Sequence, residues 1–144
     1  MEGSQAGVRG IAISFAFWNR ESRPEWVAAA CRLSVRLCEY LVSHWLDGVD
    51  VYAVNVPLCA GLLDGSTEIK YAHVHQAHHG CVFKRSGTDQ FVFGPVFEDL
   101  TKQIDSEEGR GSDTWVLSQR HVTVSPLRAN FAGIAGFSGR EIKL

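Results

Sequence analysis

The sequence lacks an excess of either charge, a long apolar run and closely spaced cysteines. Its formal net charge is −2 over 144 residues, so composition does not favour binding to nucleic acid or to an anionic membrane surface. No apolar run reaches the ~18 residues that a membrane-spanning helix needs. None of the four cysteines forms a Cys-x-x-Cys pair, which argues against a zinc ribbon.

Several catalytic and targeting motifs are missing as well. The first twenty residues lack the basic start, apolar block and cleavage site of a signal peptide, so reduced thiols and a cytoplasmic location are expected. No Gly-x-Ser-x-Gly elbow supports a Ser/His/Asp triad, and neither Cys59 nor Cys81 has stronger support as a nucleophile. The Gly-rich stretch 133–139 lacks the Gly-Lys-Ser/Thr of a phosphate loop.

Two apolar runs predict buried strands on either side of a helix. Residues 10–17 are nearly continuously apolar, and residues 49–56 form a second run that Pro57 ends. Runs of this length are typical of strands that are buried on both faces. Strand, helix and strand with short joints predict a parallel βαβ unit with a right-handed crossover, which is the core of an open α/β sheet.

The helix between these strands carries the clearest periodicity in the chain. Ser22 and Glu25 have the spacing of a capping box, and the helix is predicted to end near Leu46. Cys31 and Cys38 are interpreted as small core residues of this helix. Apolar residues recur every three or four positions, as expected for an amphipathic helix of about six turns: Trp26, Ala30, Leu33, Leu37, Leu41 and Trp45.

Beyond Pro57 the pattern changes to short alternating segments. The turn at residues 86–89 favours antiparallel pairing of the segments around it, so a projecting hairpin region is predicted. A further alternating segment, residues 121–125, is expected to end at Pro126, and residues 109–112 are expected to form a mobile loop. The alternating segments of the hairpin region are residues 68–75, 81–84 and 90–93.

Two polar residues fall near the carboxyl ends of the predicted parallel strands. Ligands of open α/β sheets bind beyond those ends, which makes Ser14 a candidate contact for substrate. The alternative for Ser14 is that its hydroxyl bonds the backbone and caps the strand. Asn55 is expected to fix the exit of the second strand through bonds from its side chain to the backbone.

A group of histidines is the most conspicuous polar cluster in the sequence. Alternation predicts that two of its members share one face of a strand, and imidazole with thiolate can bind zinc or copper. The spacing His-x-His-x-x-His-His matches no stereotyped metal site, and strand alternation alone explains two of the four histidines. A metal site is therefore not expected here. The cluster consists of His73, His75, His78 and His79, with Cys81 close by.

Several segments together carry a family likeness. Residues 1–3 followed by residues 7–14 resemble the helix end and Ile-Ala-Ile-Ser strand of the SurE family. Residues 54–57 resemble the Asn-Val-Pro end of its next strand. Residues 111–113 and 122–127 resemble its Gly-Thr-Asp and Val-Ser-Ile-Thr-Pro-Leu segments. The order and the approximate spacing agree, so the chain is similar to the carboxy-terminal part of a SurE domain.

The resemblance implies a partial Rossmann-like SurE fold of the α/β class, with a parallel βαβ core and an added antiparallel hairpin region. It extends over residues 1–131, which form a SurE-like domain that is incomplete at its N-terminus. Residues 132–144 are a Gly-rich tail outside the likeness. Residues 29–37 and 52–58 most resemble the SurE-like domain of fungal proteins of the tubulin-tyrosine-ligase-like group.

The resemblance also implies an activity. SurE enzymes are phosphatases and nucleotidases that cleave phosphomonoesters, including nucleotides, with a divalent metal, Mg²⁺ or Mn²⁺. The family's metal ligands precede the position matched by residues 1–3, and no adjacent Asp-Asp pair occurs in the chain. No catalytic or metal residue is therefore carried over, no cofactor is expected in this chain, and the chain alone is expected to be inactive.

A non-catalytic role is the alternative reading. The hairpin region contains several apolar residues on short strands, and strand pairs of this size are marginal alone. The chain is therefore expected to form a homo-oligomer through the hairpin region and could serve as an interaction or dimerisation module. Truncation of the sheet is also expected to expose Ile11, Ile13 and Val54 beside an unpaired strand edge.

Overall fold

A computed structural model describes residues 2–17, 23–76, 83–93, 104 and 109–130 of the chain. The strands are β1 (Gly10–Ala16), β2 (Val51–Pro57), β3 (Ile69–Tyr71), β4 (Phe83–Arg85), β5 (Phe91–Phe93) and β6 (Val122–Leu127). The helices are α1 (Glu2–Gln5), α2 (Pro24–Ser43), α3 (Gly61–Asp64) and α4 (Asp113–Ser118). In the described ranges, no helix is long and apolar enough to cross a membrane.

The predicted βαβ unit is confirmed. β1 and β2 are parallel, with Gly10 opposite Val51 and Ala16 opposite Pro57, and α2 connects them. The four-stranded sheet has the order β1-β2-β6-β3, while β4 and β5 form a separate antiparallel pair. The architecture is therefore an α/β fold with a parallel βαβ core and an added antiparallel hairpin.

The third strand does not belong to the hairpin region, contrary to the prediction for residues 68–75. β3 joins the main sheet beside β6 and runs parallel to it. Val122 N–H donates to the carbonyl of Glu68, and Ala72 N–H donates to the carbonyl of Val124. Because β6 is antiparallel to β2, the sheet is mixed.

Pro126 does not end the last strand, which continues to Leu127. Residues 122 and 124 direct their backbone N–H and C=O groups toward β3. Because this direction alternates along a strand, the backbone of residue 126 also faces the β3 side. β3 ends opposite Val124, where Tyr71 is its last residue. A missing N–H at Pro126 therefore costs no ladder hydrogen bond, and the strand tolerates the proline.

α2 covers one face of the sheet and supplies much of the core. The predicted apolar stripe is confirmed, since Ala30, Leu37 and Leu41 are buried and the remaining members pack beside them. Cys31, however, is exposed, because it lies on the outer side of the helix. The buried core cluster is Ala30, Leu37, Leu41, Tyr52, Val54, Val56, Leu58, Val122 and Val124.

The ends of α2 differ from the sequence prediction. Arg23 is the N-cap residue and makes no side-chain capping bond, so the capping box is wrong, although Pro24 does occupy the first turn. Ser22 lies outside the described residues. The helix ends at Ser43, and the indole N–H of Trp45 then donates to the carbonyl of Val49 at 2.7 Å. That bond turns the chain toward β2.

β1 is not buried on both faces, as its apolar sequence predicted. Ile13 and Phe15 are each 37% exposed, whereas Val54 on the neighbouring strand is buried. Gly10 N–H donates to the Asp50 carbonyl, and the Ala16 carbonyl accepts from Leu58 N–H. Alternation therefore turns the backbone groups of residues 11, 13 and 15 away from β2. No described strand pairs with this side of β1, which is the open edge of the sheet.

Candidate functional site

A row of polar side chains crosses the sheet on the face opposite α2. Ser14 of β1 is in register with Asn55 of β2, and Asn55 is in register with Thr123 of β6. The Asn55 amide Nδ2 donates to Thr123 Oγ1 at 3.1 Å. Register fixes these three side chains on one face, since residues directly opposite each other in a sheet point the same way.

Ser14 lies two residues before the end of β1, rather than at the very end of the strand. It is exposed, and it stands on the open-edge strand. The row therefore runs from a buried hydroxyl at Thr123, through a half-buried amide, to a solvent-accessible hydroxyl at Ser14. Ser14 lies in the half of β1 that is nearer its carboxyl end.

The side chain of Asn55 makes a different hydrogen bond from the one that the sequence predicted. Its side chain bonds the hydroxyl of a residue 68 positions later, instead of fixing the strand exit through the backbone. The bond ties β2 to β6 on the face that α2 does not cover. Sequence reasoning missed Thr123 as a member of the row, although alternation in residues 121–125 placed it on one face with Ser125.

The inner part of this face is buried beneath α4. Thr123 and Ser125 are fully buried, and α4 contacts both β6 and β2. Within the described ranges the Ser125 hydroxyl oxygen has no hydrogen-bond partner. Val116 of α4 is buried but lies outside the cluster that α2 covers, as expected for a helix on the second face.

The chemistry of the row is that of neutral hydrogen-bonding groups. Hydroxyls and an amide can donate to the oxygens of a bound anion, but they supply no negative charge to hold Mg²⁺ or Mn²⁺. Lys70 is opposite Thr123, but its ammonium nitrogen is 2.6 Å from a carboxylate oxygen of Glu68. That ammonium, with a smaller effect of His121, lowers the pKa of the Glu68 carboxyl.

No group of three or more His, Cys, Asp or Glu residues that could hold a metal ion occurs within the part of the chain that the structure describes. The residues of the polar row do not fit a divalent cation, because their donor set contains no carboxylate. No catalytic step is therefore assigned to a metal held by these residues.

The predicted histidine cluster is only partly within the described residues, since His78, His79 and Cys81 lie outside them. His73 and His75 do not share a strand, because β3 ends at Tyr71. His73 forms an isolated bridge with Ser112. His75 instead places its imidazole Nδ1 2.8 Å from Thr114 Oγ1 and 3.4 Å from Ser112 Oγ.

This second polar cluster includes Ser112, the last residue of the segment predicted to be a mobile loop. Ser112 is fully buried, and its hydroxyl caps α4 by accepting from Trp115 N–H. The Asp113 carboxylate accepts from the backbone N–H groups of His75 and Thr114. Asp113 is thus bonded to backbone, not to the imidazole, so the cluster holds a turn and does not reproduce a catalytic triad.

The two polar clusters lie at different ends of the sheet. β3 runs antiparallel to β2, so the chain leaves β3 toward the amino ends of β1 and β2. His75 follows β3, whereas Ser14 and Asn55 lie nearer the carboxyl ends. Of the two, the polar row lies nearer the edge where open α/β sheets bind ligands.

Comparison with known proteins agrees with this architecture. The Probable tubulin–tyrosine ligase PBY1 of Saccharomyces cerevisiae is 26% identical over 160 aligned residues. The alignment covers 94% of this chain but 21% of the relative, so the chain spans about a fifth of that protein's length. A family model described as Survival protein SurE matches residues 1–81, which is more than half of the chain. Those residues contain α1, β1, α2, β2, α3 and β3, and the chain therefore belongs to the SurE family.

Proposed function

We propose that this chain is part of a phosphomonoester hydrolase domain of the phosphatase and nucleotidase type, with Ser14 on its substrate side. Family membership over residues 1–81 supports the reaction class. The polar row supports the placement of substrate, because its exposed member, Ser14, lies in the carboxyl half of a parallel strand.

The open edge of β1 is the observation that carries the proposal. Residues 11, 13 and 15 turn unpaired backbone groups outward, and their apolar side chains are only partly covered by α2. An edge of this kind is a template on which another strand can pair. We propose that the segment completing this edge also brings the carboxylates that hold Mg²⁺ or Mn²⁺, beside Ser14.

Ser14 would then contact the phosphoryl group as a neutral donor. Its hydroxyl stands one strand away from the Asn55 amide, and the bond from Asn55 to Thr123 limits the freedom of that amide. When bound, the metal would supply the charge that polarises the phosphoryl oxygens. The residues of the polar row would orient the substrate and leave the chemistry to the segment that binds the metal.

This proposal predicts that the 144-residue chain alone releases no phosphate from p-nitrophenyl phosphate in the presence of Mg²⁺ or Mn²⁺. We expect a rate at least a thousandfold below the ~1 s⁻¹ at the low end of ordinary enzyme turnover. Ser14→Ala is the matched control and should behave as the unmodified chain does. A metal-dependent rate that Ser14→Ala lowers would contradict the inactivity of the chain and leave the substrate-side position of Ser14 supported.

The ligase named in the yeast relative is a weaker guide to this chain. The alignment leaves about four-fifths of that protein unmatched, so tubulin–tyrosine ligation is attributed to the relative and not to the matched segment. The family match covers residues 1–81, which include the βαβ unit and β3. We therefore favour hydrolysis over ligation.

A second candidate function is self-association through the β4–β5 hairpin. Phe83, Phe91 and Val92 are each at least half exposed on this two-stranded sheet. The guanidinium of Arg85 lies 5.8 Å from the centre of the Phe91 ring, which leaves much of the ring accessible. A pair of three-residue strands is marginal in water, and a second copy would cover Phe83 and Phe91, which share one face of the pair.

A further inference from the structure

An apolar groove lies between α2 and the β3 edge of the sheet, away from the polar row. Its volume is about 700 Å³, within the range of sites that bind small organic molecules. Tyr40 and Tyr71 are each more than half exposed along it. The apolar part of its wall consists of Leu33, Leu37, Leu41, Ile69 and Val124, with the two tyrosine rings.

A smaller cavity of about 330 Å³ adjoins this groove, and Leu33 and Arg36 line both. Its other lining residues include Arg32, Gly61 and Thr67. Residues 61–67 directly follow β2, so the small cavity lies on the side of the sheet where β1 and β2 end. The two cavities therefore share a wall at Leu33 and Arg36, with the apolar cavity on one side and the basic cavity on the other, and together they are called the groove.

The basic end carries two arginines one helical turn apart on α2. Arg32 and Arg36 both face this cavity, as residues four apart on a helix do. In the ranges that the structure describes, no carboxylate lies within ion-pairing distance of either guanidinium. Glu39 lines the larger cavity one turn beyond Arg36, so the negative charge of the groove is at the opposite end from Arg32.

The guanidinium group of arginine is the side-chain group best suited to binding a planar or tetrahedral anion. Its fixed fork of donors matches the geometry of carboxylate and phosphate, and two such groups at adjacent turns can hold one anion between them. A simple inorganic anion would leave the adjoining apolar end of the groove filled with water. The combination therefore matches a ligand with an anionic head and an aromatic body.

We propose that this groove binds a small amphipathic aromatic anion, with its carboxylate or phosphate at Arg32 and Arg36 and its ring against Leu37, Ile69 and Tyr71. The phenol of Tyr71 is neutral at pH 7, as tyrosines ordinarily are, and repels no anion. Burial, with further effects of Tyr52 and Tyr40, raises its pKa. The site is on the α2 face and does not depend on the proposed hydrolase activity.

The test is a titration of the 144-residue chain with 2-naphthoate, followed by NMR. This probe has no phosphoester bond, so its binding is independent of any hydrolysis. We expect saturable shifts of the Tyr40 and Tyr71 ring signals, with a Kd between about 10 μM and 1 mM. Arg36→Gln should weaken binding at least fivefold and Arg32→Gln at least threefold, since each removes a charge-assisted hydrogen bond.

Arg9→Gln is the matched control, because Arg9 is an exposed arginine whose guanidinium stacks over the Trp45 ring instead. Its Kd should equal that of the unmodified chain, and circular dichroism should show all three variants folded. Three results would overturn the proposal: no saturable shift up to 5 mM probe, equal binding of neutral 2-naphthol, or no effect of either α2 substitution. Titration with 2-naphthyl phosphate and with inorganic phosphate then separates a phosphate head from a carboxylate head.

Discussion

Tyr52→Ala is expected to remove a large part of the stability of the 144-residue chain at 25 °C. Tyr52 is fully buried beneath α2, and its ring meets the Trp45 ring edge-on at 4.7 Å between centroids. Its hydroxyl accepts from Leu46 N–H at 3.1 Å. Removing a buried aromatic ring costs about 3–5 kcal/mol. That is a large share of the ~5–15 kcal/mol by which ordinary domains are stable.

Tyr52→Phe is the matched control for this experiment. It keeps the ring in the core and removes the hydroxyl that accepts from Leu46 N–H, so we expect a cost of about 1 kcal/mol. Urea denaturation followed by circular dichroism gives the free energy of unfolding of the three proteins. A loss below 1 kcal/mol for Tyr52→Ala would contradict the central place of Tyr52 in the core.

Phe91→Lys is expected to convert an oligomer of the chain into a monomer. The unmodified chain should show a mass of at least twice 15.9 kDa by light scattering at micromolar concentration. Phe91 is 62% exposed on the β4–β5 hairpin, and a lysine there places a charge in the surface that a second copy would cover. The mass should therefore fall at least twofold to that of one chain.

Val42→Lys provides the comparison for the hairpin variant. Val42 is an exposed apolar residue, 66% accessible, and it is on α2, a different element from the hairpin strands. Its substitution should leave the mass of the oligomer unchanged. Self-association through the hairpin is excluded if the unmodified chain is already monomeric, or if Phe91→Lys and Val42→Lys change the mass equally.

The sequence predicted the βαβ core well because local signals define it. The two apolar runs and Pro57 placed β1 and β2, and periodicity placed α2 between them. It did not predict the half-exposed state of Ile13 and Phe15. An apolar run shows that a strand can be buried, but burial depends on neighbours that are distant in sequence. Pairing of the three-residue β3 was missed for the same reason.

Much less of the candidate site could be predicted. Ser14 and Asn55 were found because both lie near the ends of recognisable strands. Thr123 could not be added, since its contact with Asn55 depends on β6 lying beside β2 in one particular register. The contact of His75 with Thr114 likewise joins residues 39 positions apart. It lies next to residues 109–112, which the sequence predicted to be a loop.

The open edge of β1 is the central claim, and amide hydrogen exchange of the 144-residue chain tests it within a single strand. Backbone groups of residues 12 and 14 point toward β2, whereas those of residues 13 and 15 point away from it. We expect the amides of Ile13 and Phe15 to exchange at least about 100-fold faster than that of Ser14. Equal protection of Ile13, Ser14 and Phe15 would contradict the account, because it would mean that a strand already covers this edge.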